Sequence, residues 1–274
     1  MSPTKRGIQD GHRARKRFGQ NFLVDPGVVE RILAAIPSSG EVVEIGPGLG
    51  ALTFPLARRG ERVVAVELDR DVIKRLRVKL DAESLGRQVS LVAQDALRLD
   101  LAELGHREAL HPPLTVAGNL PYNIATALIT RLLEQSESIG EMVFMVQKEV
   151  ARRLAAGPDD SAYGRLSVLV QTVAEVEHLF DVPPEAFNPP PKVDSSIIRL
   201  TPREEPLVPP EERARFERLV TAAFAQRRKT LRNNLKPLMP ASTIEASGVD
   251  PSLRAQALDI PAFLALARRI GTTD

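Results

Sequence analysis

The stretch EIGPGLG at residues 44–50 decides how the chain folds. It completes the apolar run Glu41–Ile45, places three glycines at alternate positions, and leads into a helical pattern at Leu52. An apolar run without alternation reads as a strand buried on both faces. Glycines after such a strand let the backbone take positive φ and approach a ligand closely. The helix N-terminus beyond them favours negative charge. Glu67 ends the next apolar run, 21 residues after Gly46, where a carboxylate can accept two hydrogen bonds from ribose hydroxyls. The competing reading is a tight turn and a solvated acid; strand context and spacing favour an adenosine-binding crevice.

Outward from this turn, strand-like runs recur at Arg62–Glu67, Val89–Ala93, 114–117 and 142–146. Helical patterns precede and separate them at 28–36, 52–59, 71–80, Ala125–Leu133 and 148–154. Repeated strand–helix units predict an α/β fold with a mostly parallel, doubly wound, Rossmann-like sheet. Residues 166–176 then read as a helix and 195–200 as a last strand. Residues 201–212, TPREEPLVPPEE, read as a linker. Beyond it the pattern is helical only, and 214–235 reads as one amphipathic helix. The expected domains are therefore 1–204, catalytic, and 205–274, small and all-helical.

Composition narrows the chemistry. The chain has 274 residues, 43% of them hydrophobic, enough for a sizeable core. Without cysteine there are no disulfides, thiolate zinc sites, iron–sulfur clusters or cysteine nucleophiles. His12, His106, His111 and His178 show no ligand spacing, so no metal is expected. No run approaches the ~18 apolar residues of a membrane span. The basic first twenty residues, including Arg15, Lys16 and Arg17, lack the apolar core of a signal peptide. A cytoplasmic protein with a basic arm is the expectation. Net charge is only +2, so nucleic-acid affinity must come from local patches.

The glycine turn does not by itself choose a cofactor. Its GxGxG spacing differs from the GxGxxG of dinucleotide binders and leans away from NAD. A nucleoside with an amino-acid tail, S-adenosylmethionine, fits the wider turn. Asp95, after the third strand in VAQDAL, suits an acceptor for an adenine amino group and equally a helix N-cap.

The fourth strand runs into GNLPYNI, residues 118–124. Pro121 fixes its own φ and holds Leu120 extended. In that rigid corner the Asn119 side-chain oxygen and the Leu120 carbonyl can point the same way. An exocyclic amino group is a poor nucleophile because its lone pair is delocalised into the ring. Two acceptors on its N–H groups favour a pyramidal nitrogen facing a methyl donor, so positioning and electrostatics carry the catalysis. Tyr122 offers a stacking face to an unstacked base. The bland alternative is an ordinary Asn–Pro turn.

With these motifs in place, the chain resembles the small-subunit ribosomal RNA adenine N6-dimethyltransferases of the KsgA type, within the class I S-adenosylmethionine-dependent methyltransferases. The resemblance rests on RKRFGQNFL (15–23), EIGPGLG (44–50), VELD (66–69), QDAL (94–97), NLPYNI (119–124), FMVQKEVARRL (144–154), FNPPPKVDSS (187–196) and QRRKTLRNNL (226–235). It implies that Gln20, Asn21 and Leu23 close over the methionine end of the cofactor and that Gly46 and Gly48 pass beside it. It implies that Glu67 takes the ribose hydroxyls and Asp95 the adenine amino group. Asn119 spans cofactor and target, while Tyr122 and Phe187 stack on the target adenine. From the residues alone, QNFL also reads as a helix cap with a buried Phe22, and Phe187 as a core aromatic. The resemblance further implies two methyl groups on each of two adjacent adenosines near the 3′ end of small-subunit rRNA, on a partly assembled subunit.

Residues 226–236 hold five basic side chains and no acid. On one continuous helix Arg228, Lys229, Arg232 and Lys236 would share an arc of about 100°. Phe216, Val220, Phe224 and Leu231 would form the neighbouring apolar stripe. Such an arc, with the basic arm, suits RNA phosphates and would position rather than specify. An NAD-dependent oxidoreductase explains the glycine turn and Glu67 but not NLPY or the basic segment. A large-subunit rRNA methylase of the macrolide-resistance type and a non-catalytic assembly factor on the same scaffold are the nearer competing readings.

Overall fold

The structure, a computed structural model, describes residues 8–9, 12–13, 21–38 and 40–271. Gln20, Arg15, Lys16 and Arg17 lie outside the described residues. The chain divides into two units: Met1–Ala151 with Glu177–Pro202, and Arg152–Val176 with Arg203–Asp274.

In the first unit two short strands, β1 (Ile8–Gln9) and β2 (His12–Arg13), pair antiparallel. β3 (Phe22–Leu23) leads into α1 (Pro26–Ala35). Asp25 caps this helix, accepting from the N–H groups of Gly27 and Val28 at 2.8 and 3.1 Å. There follow β4 (Glu41–Ile45), α2 (Thr53–Arg58), β5 (Arg62–Glu67), α3 (Arg70–Ala82) and β6 (Val89–Ala93). Next come α4 (Leu101–Glu108), β7 (Leu114–Asn119), α5 (Ala125–Leu133), β8 (Ile139–Gln147) and the start of α6 (Lys148–Ala155). Val42, Val43, Val63, Val64 and Val116 are fully buried, as strands covered on both faces require.

The central sheet has the order β6-β5-β4-β7-β8-β11-β9, with β9 at Ala174–Val182 and β11 at Ser195–Pro202. β6 to β8 run parallel, and β11 is antiparallel to β8. Strand order reverses between β4 and β7, the point outside whose carboxyl ends ligands bind in doubly wound sheets. These two strands approach closely there: a Cβ at Gly118 would collide with the Ile45 carbonyl.

Three expectations are corrected. Residues 166–176 are not one helix: α7 (Arg165–Gln171) stops and β9 begins at Ala174. AEVEHLFDV suits a sheet edge, and its outward acids pair with arginines, Glu177 with Arg199 at 2.8 Å and Glu175 with Arg203 at 2.9 Å. Residues 201–212 are not a free linker. Pro202 ends β11, the N–H groups of Arg203 and Leu207 donate to Val173 and Thr172, and Val208 is buried.

The third correction concerns the domain boundary, because Arg152–Val176 belongs with the C-terminal segment. Val168 and Tyr163 pack in the same core as Phe216, Leu219, Leu235 and Phe263, and the Tyr163 hydroxyl donates to the Leu258 carbonyl at 2.9 Å. Beyond 203 the second unit is helical: α8 (Arg213–Ala223), α9 (Leu231–Asn234), α10 (Ala241–Ala246) and α11 (Ile260–Arg268).

Candidate active site

A cleft of about 410 Å³ opens at the strand-order reversal. Its walls are the segments after β4, β5, β6 and β7, closed on one side by Asn21, Phe22 and Leu23. Gly46 and Gly48 take positive φ, +67° and +54°, so main chain rather than side chain faces the space. A Cβ on Gly48 would come within 3.3 Å of the Phe22 ring, which lies against the turn.

Glu67 ends β5 and lines the cleft. Its Oε1 accepts from the N–H groups of Leu68 and Asp69, both at 2.8 Å, which fixes the carboxylate before any ligand arrives. Burial pushes its pKa up, against the opposing effect of those N–H groups. Asp95 fulfils its N-cap reading, Oδ1 capping the short turn at Ala96–Arg98 through the Leu97 N–H at 3.0 Å, and the residue also lines the cleft.

Asn119 is the last residue of β7. Its Nδ2 donates to the Asn21 carbonyl at 3.1 Å. The amide is thereby held with its nitrogen engaged by protein and its oxygen left as an acceptor. The Leu120 N–H donates to the Met145 carbonyl at 3.1 Å, and Pro121 accepts from the N–H groups of Ile124 and Ala125. The corner is thus fastened on both sides of its proline. The Tyr122 hydroxyl lies 2.6 Å from Ser195 Oγ, and the half-buried ring borders the cleft.

Phe187 departs from expectation. It belongs to β10 (Phe187–Asn188), which pairs antiparallel with β3 and sets Phe187 opposite Leu23. It is 3% exposed, packs with Leu23 in the core and does not line the cleft. Its ring packs beneath the segment covering the cleft. Both Phe187 and Phe22, which is 6% exposed, are buried aromatics here.

Two residues went unremarked in the sequence. Glu44 sits within EIGPGLG, 2% exposed, accepting from Thr53 Oγ1 at 2.6 Å. Burial raises its pKa from 4.5 to about 7. The signal for it was an acid inside a strand otherwise apolar on both faces. Ser195, the anchor of Tyr122, had no such signal.

The basic segment is not a helical arc. α8 ends at Ala223, and the chain turns through 224–230 before α9. Asn234 stabilises the break, its Nδ2 donating to the carbonyls of Ala223 and Gln226 at 2.7 and 3.0 Å. Arg228, Lys229, Arg232 and Lys236 are all exposed, on the turn and around α9. Phe216, Val220 and Leu231 do enter the core.

The family model for ribosomal RNA adenine dimethylases matches residues 11–271. The chain belongs to the ribosomal RNA adenine dimethylase family. It is 53% identical to the ribosomal RNA small subunit methyltransferase A of Pseudomonas aeruginosa over 94% of this chain and 95% of that protein. Among solved structures, a dimethyladenosine transferase from Plasmodium falciparum is 27% identical, with a TM-score of 0.74 over 89% of this chain and 95% of that one. The 23S rRNA methyltransferase ErmE is 29% identical, with a TM-score of 0.70 over 91% and 99%. For this dimethylase-family chain the oxidoreductase alternative falls away. No helix among the described residues is long and apolar enough to cross a membrane.

The cleft fits S-adenosylmethionine. A main-chain floor at Gly46 and Gly48, a pre-oriented carboxylate at Glu67 and a second at Asp95 match the hydroxyl and amino donors of an adenosine. The buried carboxyl of Glu44 adds an acidic group suited to the cationic end of such a molecule.

Proposed function

We propose that the protein dimethylates N6 of two adjacent adenosines near the 3′ end of small-subunit (16S) rRNA, using S-adenosylmethionine. It does so in the cytoplasm, as a monomer, on a partly assembled small ribosomal subunit. The cofactor supplies a methyl group on an electrophilic sulfonium. The observation that carries the chemistry is the hydrogen bond from Asn119 Nδ2 to the Asn21 carbonyl. With the nitrogen so committed, Asn119 Oδ1 and the Leu120 carbonyl serve as paired acceptors for the target amine. They would localise its lone pair toward the methyl carbon, so that the N–C bond forms as the S–C bond breaks with release of a neutral thioether, and the methylated nitrogen then loses its proton to solvent without a carboxylate base. Tyr122 supplies the stacking platform for the extruded base. Glu67 and Asp95 hold the nucleoside of the cofactor, and Asn21 and Leu23, with Gln20, cover its amino-acid end.

The small-subunit reading is supported by relatives such as the Pseudomonas aeruginosa protein named above. Arg228, Lys229, Arg232 and Lys236 are the proposed phosphate contacts in the second unit, with Arg15, Lys16 and Arg17 in the basic arm. The test is incubation of the protein with radiolabelled methyl donor and either unmodified small subunits or large-subunit RNA, followed by mapping of the product base. Paired dimethyladenosines near the 3′ end of small-subunit RNA are expected. Label confined to large-subunit RNA would transfer the reading to the macrolide-resistance type, and no label in either would favour a non-catalytic assembly factor.

A further inference from the structure

Tyr122 is held by a single side-chain hydrogen bond, to Ser195 at 2.6 Å, and that serine is the first residue of β11. What fixes the start of β11 therefore fixes the tyrosine. Alternate residues of a strand point to opposite faces, so Ser196 projects away from Ser195. Its hydroxyl donates to Asp181 Oδ1 at 2.7 Å. Asp181, near the end of β9, also meets His178 Nε2 at 2.9 Å, and its Oδ2 meets Lys148 Nζ at 2.6 Å. Lys148 in turn binds the residue before Ser195: its main-chain N–H donates to the Asp194 carbonyl at 3.0 Å, and its ammonium stands 3.7 Å from the Asp194 carboxylate.

Asp194, Ser195 and Ser196 are thus gripped from β9 and from the end of β8 together. We propose that Asp181, acting with Lys148, is a positioning residue that sets the Tyr122 ring at the mouth of the cleft through the Ser196–Ser195 step of β11. An isolated pair on a protein surface contributes little. Here one carboxylate serves a hydroxyl, an imidazole and an ammonium, and one lysine reaches two acids and a main-chain carbonyl. The Lys148 ammonium, the Ser196 hydroxyl and the His178 ring hold the Asp181 carboxyl well below the usual carboxylate range. The consequence for methyl transfer rests on the reading of Tyr122 as the target platform; the structural coupling does not.

The chain has two tyrosines and no tryptophan, so biosynthetic 3-fluorotyrosine gives two fluorine resonances, assigned by Tyr163→Phe. Tyr163 belongs to the other unit and serves as the internal control. Asp181→Asn and Lys148→Met, made separately in the full chain, should each displace or broaden the Tyr122 resonance and leave that of Tyr163 in place. Lys148→Arg should restore it. The KM for small-subunit RNA should rise roughly tenfold in the first two variants, with affinity for S-adenosylmethionine unchanged. A Tyr122 resonance unmoved in both variants overturns the proposal. A displaced resonance with unaltered methylation kinetics upholds the positioning and overturns the platform role of Tyr122 instead.

Discussion

Asn119 Nδ2 and the Asn21 carbonyl oxygen lie 3.1 Å apart, joining the residue that ends β7 to the segment that covers the cleft. One side chain anchors that segment through its nitrogen and, on the proposed reading, presents its oxygen to the target. Asn119→Ala should lower the methyl-transfer rate by about 10²–10³, the usual effect of deleting one preorganised dipole. Donor affinity should weaken by only about 1 kcal/mol, from the lost anchor. Single-turnover kinetics beside calorimetric titration separate the two, and equal losses in both would mean that the amide merely holds the segment.

Glu67→Ala should weaken binding of S-adenosylmethionine by about 1–3 kcal/mol, since the ribose hydroxyls lose their acceptor. Isothermal titration checks this, and unchanged affinity would move the ribose elsewhere.

Glu44 makes stability depend on pH. Its folded pKa of about 7 exceeds the ordinary 4.5, so between these values the native state keeps a proton that the unfolded chain has released. Its contribution to stability is full below pH 4.5, falls as pH rises, and levels off above about 7. The loss approaches about 3.5 kcal/mol, at ~1.4 kcal/mol per pKa unit. Urea denaturation of wild type and Glu44→Gln at pH 5 and pH 8 isolates it: the difference between the two proteins should change by up to that amount. A constant difference would place the ionised carboxylate in the native state throughout.

Neutralising Arg228, Lys229 and Arg232 should flatten the salt dependence of RNA binding by about one unit of slope for each phosphate left without its cation. Filter binding across a salt series measures it, and an unaltered slope would put the RNA on another surface.

Asn234→Ala removes the donor shared by the Ala223 and Gln226 carbonyls where α8 ends. A loss of about 1–3 kcal/mol is expected, because both acceptors lose their partner at a buried site. Thermal unfolding tests it; an unchanged melting temperature would show that water replaces the amide.

The sheet was legible because both-sided burial leaves continuous apolar runs, and Glu41–Ile45, Arg62–Glu67 and Val89–Ala93 end where those runs end. Residues 166–176 misled because an apolar stretch with interspersed polar residues satisfies both periods, and only the place of β9 at the sheet edge settles it. The helix expected over 214–235 failed at a tertiary interaction, since Asn234 closes α8 from eleven residues away. In the cleft, Gly46, Gly48, Glu67, Asp95, Asn119 and Tyr122 were readable from the strand ends that carry them. The burial of Phe187 was not legible, because its pairing with Leu23 brings together segments far apart in sequence.

Arg152–Val176 supplies Val168 and Tyr163 to the core of the C-terminal unit. The last seventy or so residues are consequently not a portable cassette. Grafted onto another enzyme they would arrive without three of their own interior residues, Ala156, Tyr163 and Val168, so recombination at the proline-rich stretch 201–212 would leave that core incomplete. Any exchange of this unit between relatives has to carry an internal splice along with the terminus.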